Sequence, residues 1–75
     1  MNRYTESDVK SRVSAYEFGD DWIHVEFSDG VVYEYTHASA GAHYIEMMKR
    51  LAKAGVALNE FIDMHVKHKY SRRVR

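Results

Sequence analysis

Between Trp22 and Thr36 apolar and polar side chains alternate on either side of Ser28-Asp29-Gly30, whereas from Ser39 onward the apolar positions recur every third or fourth residue. A period of two belongs to a half-buried strand and a period of 3.6 to an amphipathic helix. One change of period therefore divides the chain into a sheet-forming half and a helical half. Strands in one run and helices in the next make an α+β domain rather than an alternating α/β one. The expected fold is a three-stranded antiparallel β-meander packed on one face by two C-terminal α-helices. Seventy-five residues suffice for one such domain and leave none for a second.

The three strands are read from RVSAYEF (12–18), WIHVEFS (22–28) and VVYEYTH (31–37). The turn between the last two decides which side chains reach the core, because a one-residue slip in register moves each of them to the opposite face. A two-residue loop of Asp29 and Gly30 would set Ile23, Val25 and Phe27 opposite Val32, Glu34 and Thr36, placing a carboxylate on the apolar face. Burying an unpaired carboxylate costs several kcal/mol. A three-residue loop with Gly30 in the left-handed bulge position pairs the same three residues with Val31, Tyr33 and Tyr35 instead. The second register is preferred. It turns Tyr33 and Tyr35 toward the core and leaves Trp22, His24, Glu26, Val32, Glu34 and Thr36 outside, with His24 opposite Glu34. An acidic outer face of this kind repels phosphate, so it makes a poor base-stacking platform.

Helix one is expected from Ser39, as N-cap, to about Ala54, with Tyr44, Ile45, Met48, Leu51 and Ala52 on its inner face and Gly55 as the C′ residue. Helix two starts between Val56 and Glu60 and presents Leu58, Phe61, Ile62 and Val66. Met47 and Met64, beside these stripes, read as gap-filling core. Residues 1–10 show no periodicity and read as a flexible lead-in, with a single domain over 11–75 that ends in a basic tail.

Composition narrows the chemistry. The absence of cysteine removes disulfides, thiolate nucleophiles and cysteine zinc sites, and suits the reducing cytoplasm. MNRYTESDVK carries no signal-peptide apolar run, and nothing approaches the ~18 apolar residues of a membrane span, so no membrane partner is expected. Formal charge cancels overall but not locally. Residues 1–37 hold three basic and eight acidic groups, net −5, and residues 38–75 hold eight and three, net +5. The basic half is where a polyanion docks.

Three motifs, in order and spacing, resemble the KTSC domain, a module at the C-terminus of some lysyl-tRNA synthetases that also occurs as small stand-alone bacterial and phage proteins. They are Ser11, Val13, Ala15, Tyr16 and Phe18; Phe27, Gly30, Tyr33 and Tyr35; and Gly55, Asn59 and Ile62, followed by a basic end. The resemblance spans about residues 11–74. It implies a sheet packed by helices and an RNA-binding role, and no catalytic residues.

The functional candidates lie at that basic end: Lys67, Lys69, Arg72, Arg73 and Arg75 around Tyr70, beside His65 and His68. Arginine bridges phosphate with two hydrogen bonds and tyrosine stacks on bases, a mixture suited to RNA. The plainer reading is a solvated helix end. Lys49, Arg50 and Lys53 widen the patch if helix one lies alongside. His65-x-x-His68 lacks a clear third ligand, and no nucleophile elbow or phosphate loop is present, so neither a metal nor a cofactor nor an enzyme is expected. Asn59 reads as the cap of helix two in preference to a ligand contact. Trp22 and Tyr4 read as exposed aromatics fit for a protein contact, and strand one as an open edge. A protein-interaction or self-associating adaptor, the acidic sheet face of one copy on the basic helices of another, is the alternative to RNA.

Overall fold

The computed structural model describes residues 1–5 and 11–75. Its strands are β1 (Asn2–Arg3), β2 (Val13–Phe18), β3 (Trp22–Phe27), β4 (Val32–Thr36) and β5 (Arg72–Arg73). Its helices are α1 (His37–Ala40), α2 (Ala42–Ala54) and α3 (Leu58–Phe61), the last continuing into a π-helical turn over Ile62–Val66. All strand pairings are antiparallel and the sheet order is β1-β2-β3-β4-β5.

The central hairpin adopts the three-residue loop. Phe27 N–H donates to Val31 O at 2.9 Å, Gly30 stands at φ 90°, and Asp29 Oδ1 accepts from Val31 N–H at 3.1 Å. Ile23 is then opposite Tyr35, Val25 opposite Tyr33 and His24 opposite Glu34. On β2 the register shifts between Val13 and Ala15, a bulge at Ser14 whose hydroxyl turns onto Glu26 Oε1 at 3.1 Å. The bulge lets Val13 and Tyr16, three apart, both face inward, which strict alternation forbids.

Two strands are added to the three expected, one at each edge. Asn2 and Arg3 pair with Tyr16 and Ala15, so β2 is covered there and is no open edge. Tyr4, read as exposed, is 6% exposed, and its hydroxyl accepts a hydrogen bond from Leu58 N–H at 3.1 Å, satisfying a donor that opens α3. The start of the segment read as a lead-in thus carries an edge strand and a buried tyrosine; its residues 6–10 lie outside the described residues.

Helix one is divided. Thr36, not Ser39, is the N-cap: its hydroxyl accepts from Ser39 N–H while Ser39 Oγ accepts from Thr36 N–H, each at 3.0 Å. Gly41, at φ 100° and ψ 138°, separates α1 from α2. Gly55 ends α2 as expected, in the left-handed conformation, with Gly55 N–H bonded toward Ala52 O and Val56 N–H toward Leu51 O. Ile45, Met48 and Ala52 of α2 join Leu58, Ile62 and Val66 over the inner sheet face of Tyr16, Ile23, Val25 and Tyr35. Tyr44, Leu51 and Phe61 pack at the margin of this core. Met64 does not fill it and is 77% exposed. Among the described residues no helix is long and apolar enough to cross a membrane.

Candidate binding cleft and the basic tail

After the π-helical turn the chain doubles back along β4, and this return places the tail. Arg72 pairs with Glu34 and Arg73 with Tyr33 in register, Ser71 N–H donates to Glu34 O at 2.6 Å, and Val32 exchanges backbone bonds with Val74 and Arg75. The tail is a strand and not a fraying helix end. Its charges meet the acidic outer face directly. Arg72 Nε lies 3.2 Å from Glu34 Oε1, and the Arg75 guanidinium holds Glu26. His24 Nε2 is 2.9 Å from the other Glu34 oxygen and Ser71 Oγ donates to Glu34 at 2.7 Å. These partners, the His24 bond foremost and then Ser71 and Arg72, pull the Glu34 carboxyl down to about 2.

Two of the six tail residues expected to bind nucleic acid, Arg72 and Arg75, are therefore already held by glutamates. Lys67, Lys69 and Arg73 have no aspartate or glutamate partner among the described residues; Arg73 Nε donates to Arg75 O at 3.2 Å, and Lys69 Nζ lies 5.9 Å from the Tyr44 ring centre. Tyr70 is 40% exposed yet rests on the sheet, 4.3 Å from the Tyr33 ring centre and edge-on to Tyr35 at 6.4 Å. Lys49 and Lys53 do not join the tail: both lie over Phe18, and Lys49, 8% exposed, donates to Asp20 O at 2.8 Å and Glu46 at 2.9 Å.

Between the hairpin end of the sheet and the π-helical turn opens a cleft of about 370 Å³. Phe27, Tyr33, Tyr35 and Tyr70 give it an aromatic side, and Arg12, Lys67 and His68 line it with Asp29 and Asp63. Arg12 Nη2 reaches Asp63 at 3.4 Å and Arg12 Nε reaches Asn59 Oδ1 at 3.4 Å, spanning from the start of β2 to the helical side. Asn59 is thus no cap: α3 begins after Ala57, and the Asn59 amide is spent on Arg12. Tyr35 is 1% exposed, and burial, followed by Tyr33 and Tyr70, raises its phenol above the usual tyrosine range. Its hydroxyl has no hydrogen-bond partner among the described residues, yet no described side-chain polar atom is both sealed from solvent and unpartnered. The hydroxyl accordingly opens into the cleft.

Sequence periodicity could not find this cleft, since it is made by the tail's return and by Arg12 at the mouth of a bulged strand. Apart from His68, the histidines serve elsewhere. His65 stacks against Tyr44 and Phe61 at 5.2 and 4.7 Å, His37 meets Glu46 at 3.0 Å, and Trp22, half-buried, covers His24 at 4.4 Å. Among the described residues no three histidine, aspartate or glutamate side chains cluster closely enough to hold a metal ion. In comparisons with known proteins, no family model, no curated protein and no solved structure matches the chain.

Proposed function

We propose that this protein is a non-catalytic module that binds single-stranded RNA through Lys67, Lys69 and Arg73 beside the aromatic cleft. The observation that carries the reading is the set of three exposed cations, without aspartate or glutamate partners among the described residues, next to Tyr70 and the cleft. Phosphates neutralise on lysine and arginine while bases find aromatic faces, the division of labour typical of single-strand binders. The sequence resemblance to the KTSC domain supports the same ligand, and a cytoplasmic site of action goes with it. Arg72 and Arg75 belong to the scaffold in this reading, since their guanidiniums hold Glu34 and Glu26.

The adaptor alternative, with acidic sheet face on basic tail between copies, has less room, because that pairing is made within one chain. Anisotropy of a labelled single-stranded oligoribonucleotide against salt tests the RNA reading. Three neutralised phosphates give a log–log slope of about −2, and Lys67→Gln with Lys69→Gln brings it to about −0.7. Absence of binding at about 50 mM salt overturns the reading.

A further inference from the structure

We propose that the cleft is a pocket for one unpaired nucleobase, whose edge is read by the hydroxyl of Tyr35. The inference deepens the RNA-binding reading and rests on it. Three observations point to such an occupant. The first is size: about 370 Å³ stands near the lower limit of ligand pockets, which run from roughly 300 to 1,000 Å³, so one ring system fits and a folded oligonucleotide does not.

The second is charge. Arg12 and Lys67 are balanced within the lining by Asp29 and Asp63, and Arg12 is already tied to Asp63. A phosphodiester anion gains little net field inside, whereas a neutral planar base loses little on leaving water. The phosphate instead stays at the rim, where Lys67 is exposed and Lys69 follows two residues on. The third is the Tyr35 hydroxyl itself. A polar group on a residue only 1% exposed, with no partner among the described residues, carries a hydrogen-bonding capacity that a base edge completes. Tyr33 and Tyr70, packed on each other at 4.3 Å, together give the base one aromatic wall to stack on. Single-stranded RNA is commonly recognised in this way, by a splayed base stacked on aromatic rings and hydrogen-bonded along its edge.

The test compares labelled oligo(U), oligo(C) and oligo(A), together with an abasic oligoribonucleotide of the same length, on the full chain and on Tyr35→Phe. The expected results are a preference among the bases, weaker binding of the abasic strand, and a roughly fivefold to tenfold loss of affinity for the preferred base in Y35F. The salt slope and the thermal midpoint of Y35F stay those of the unaltered chain, because the hydroxyl has no protein partner to lose. Val31→Phe, which narrows the cleft from the hairpin end, lowers affinity for the preferred base in the same way and keeps the slope. Equal binding of all strands, abasic included, with Y35F and V31F indistinguishable from the unaltered chain, overturns the pocket while leaving RNA binding in place. No binding of any strand at low salt overturns both.

Discussion

Tyr33 and Tyr35 differ in burial although they are two apart on one strand face. Tyr35 lies beneath the helices at 1% exposure, while Tyr33 is half-buried under Tyr70. Their inward direction was legible before any coordinates, because the other register would have buried Glu34 uncompensated. What the alternation could not show is how Glu34 fares outside, where it collects His24, Ser71 and Arg72 rather than bulk water. Those partners depress its folded-state pKa to about 2 from an ordinary 4.5. A carboxylate shifted downward stabilises the fold fully above its unfolded value, and the contribution is lost as pH falls toward the folded one. Stability should therefore decline as pH drops from about 4.5 to about 2. Glu46, lowered by Lys49 and then His37, acts with the same sign but is exposed and screened. Urea titrations across this range should show a shallower acid decline in Glu34→Gln than in the unaltered chain; identical profiles would mean that Glu34 holds no such bonds.

The long elements were legible and the short ones were not, for a physical reason. Six residues of β3 and thirteen of α2 repeat their pattern often enough to show a period. β1 and β5 have two residues each and carry no period at all. The Ser14 bulge also defeats a period-two reading of β2, and the capping box at Thr36 begins the helical region before its apolar stripe does. Gly55 was readable as a helix stop, but its second duty was not: a Cβ built there would stand 2.1 Å from Thr5 O. The residue thus both turns the chain at φ 68° and admits the backbone that follows β1. A left-handed non-glycine residue alone costs about 1–2 kcal/mol. Gly55→Ala should exceed that figure, because the clash is with backbone and pushes away the segment that lets Tyr4 meet Leu58. Chemical denaturation measures the loss. Amide exchange at Tyr4, which donates to Ser14 O at 3.0 Å, should accelerate before that of β3; unchanged protection there would refute the coupling.

Across the whole molecule, the opposite charge of the two halves was plain in the sequence, but the place where they meet was not. The return of the tail is set by a turn at residues 67–71 that no periodicity announces. The chain closes its own sheet edge with its own cations, covering Val32 to 1% exposure and leaving β4 no free margin at Val32 and Glu34. Two populations of tail cation result, and they should separate experimentally. Arg72 and Arg75 are 64% and 65% exposed at the side chain, so each ion pair is worth about 1 kcal/mol at most and is screened by salt. Arg72→Gln with Arg75→Gln should lower stability modestly at low ionic strength and remove much of its dependence on sodium chloride. RNA affinity should change little in that variant. Lys67→Gln with Lys69→Gln should do the reverse, sparing the urea midpoint while weakening RNA binding and flattening its salt slope. If the arginine pair rather than the lysine pair governs binding, then β5 leaves the sheet when RNA arrives, and Glu26 and Glu34 are its resting partners only.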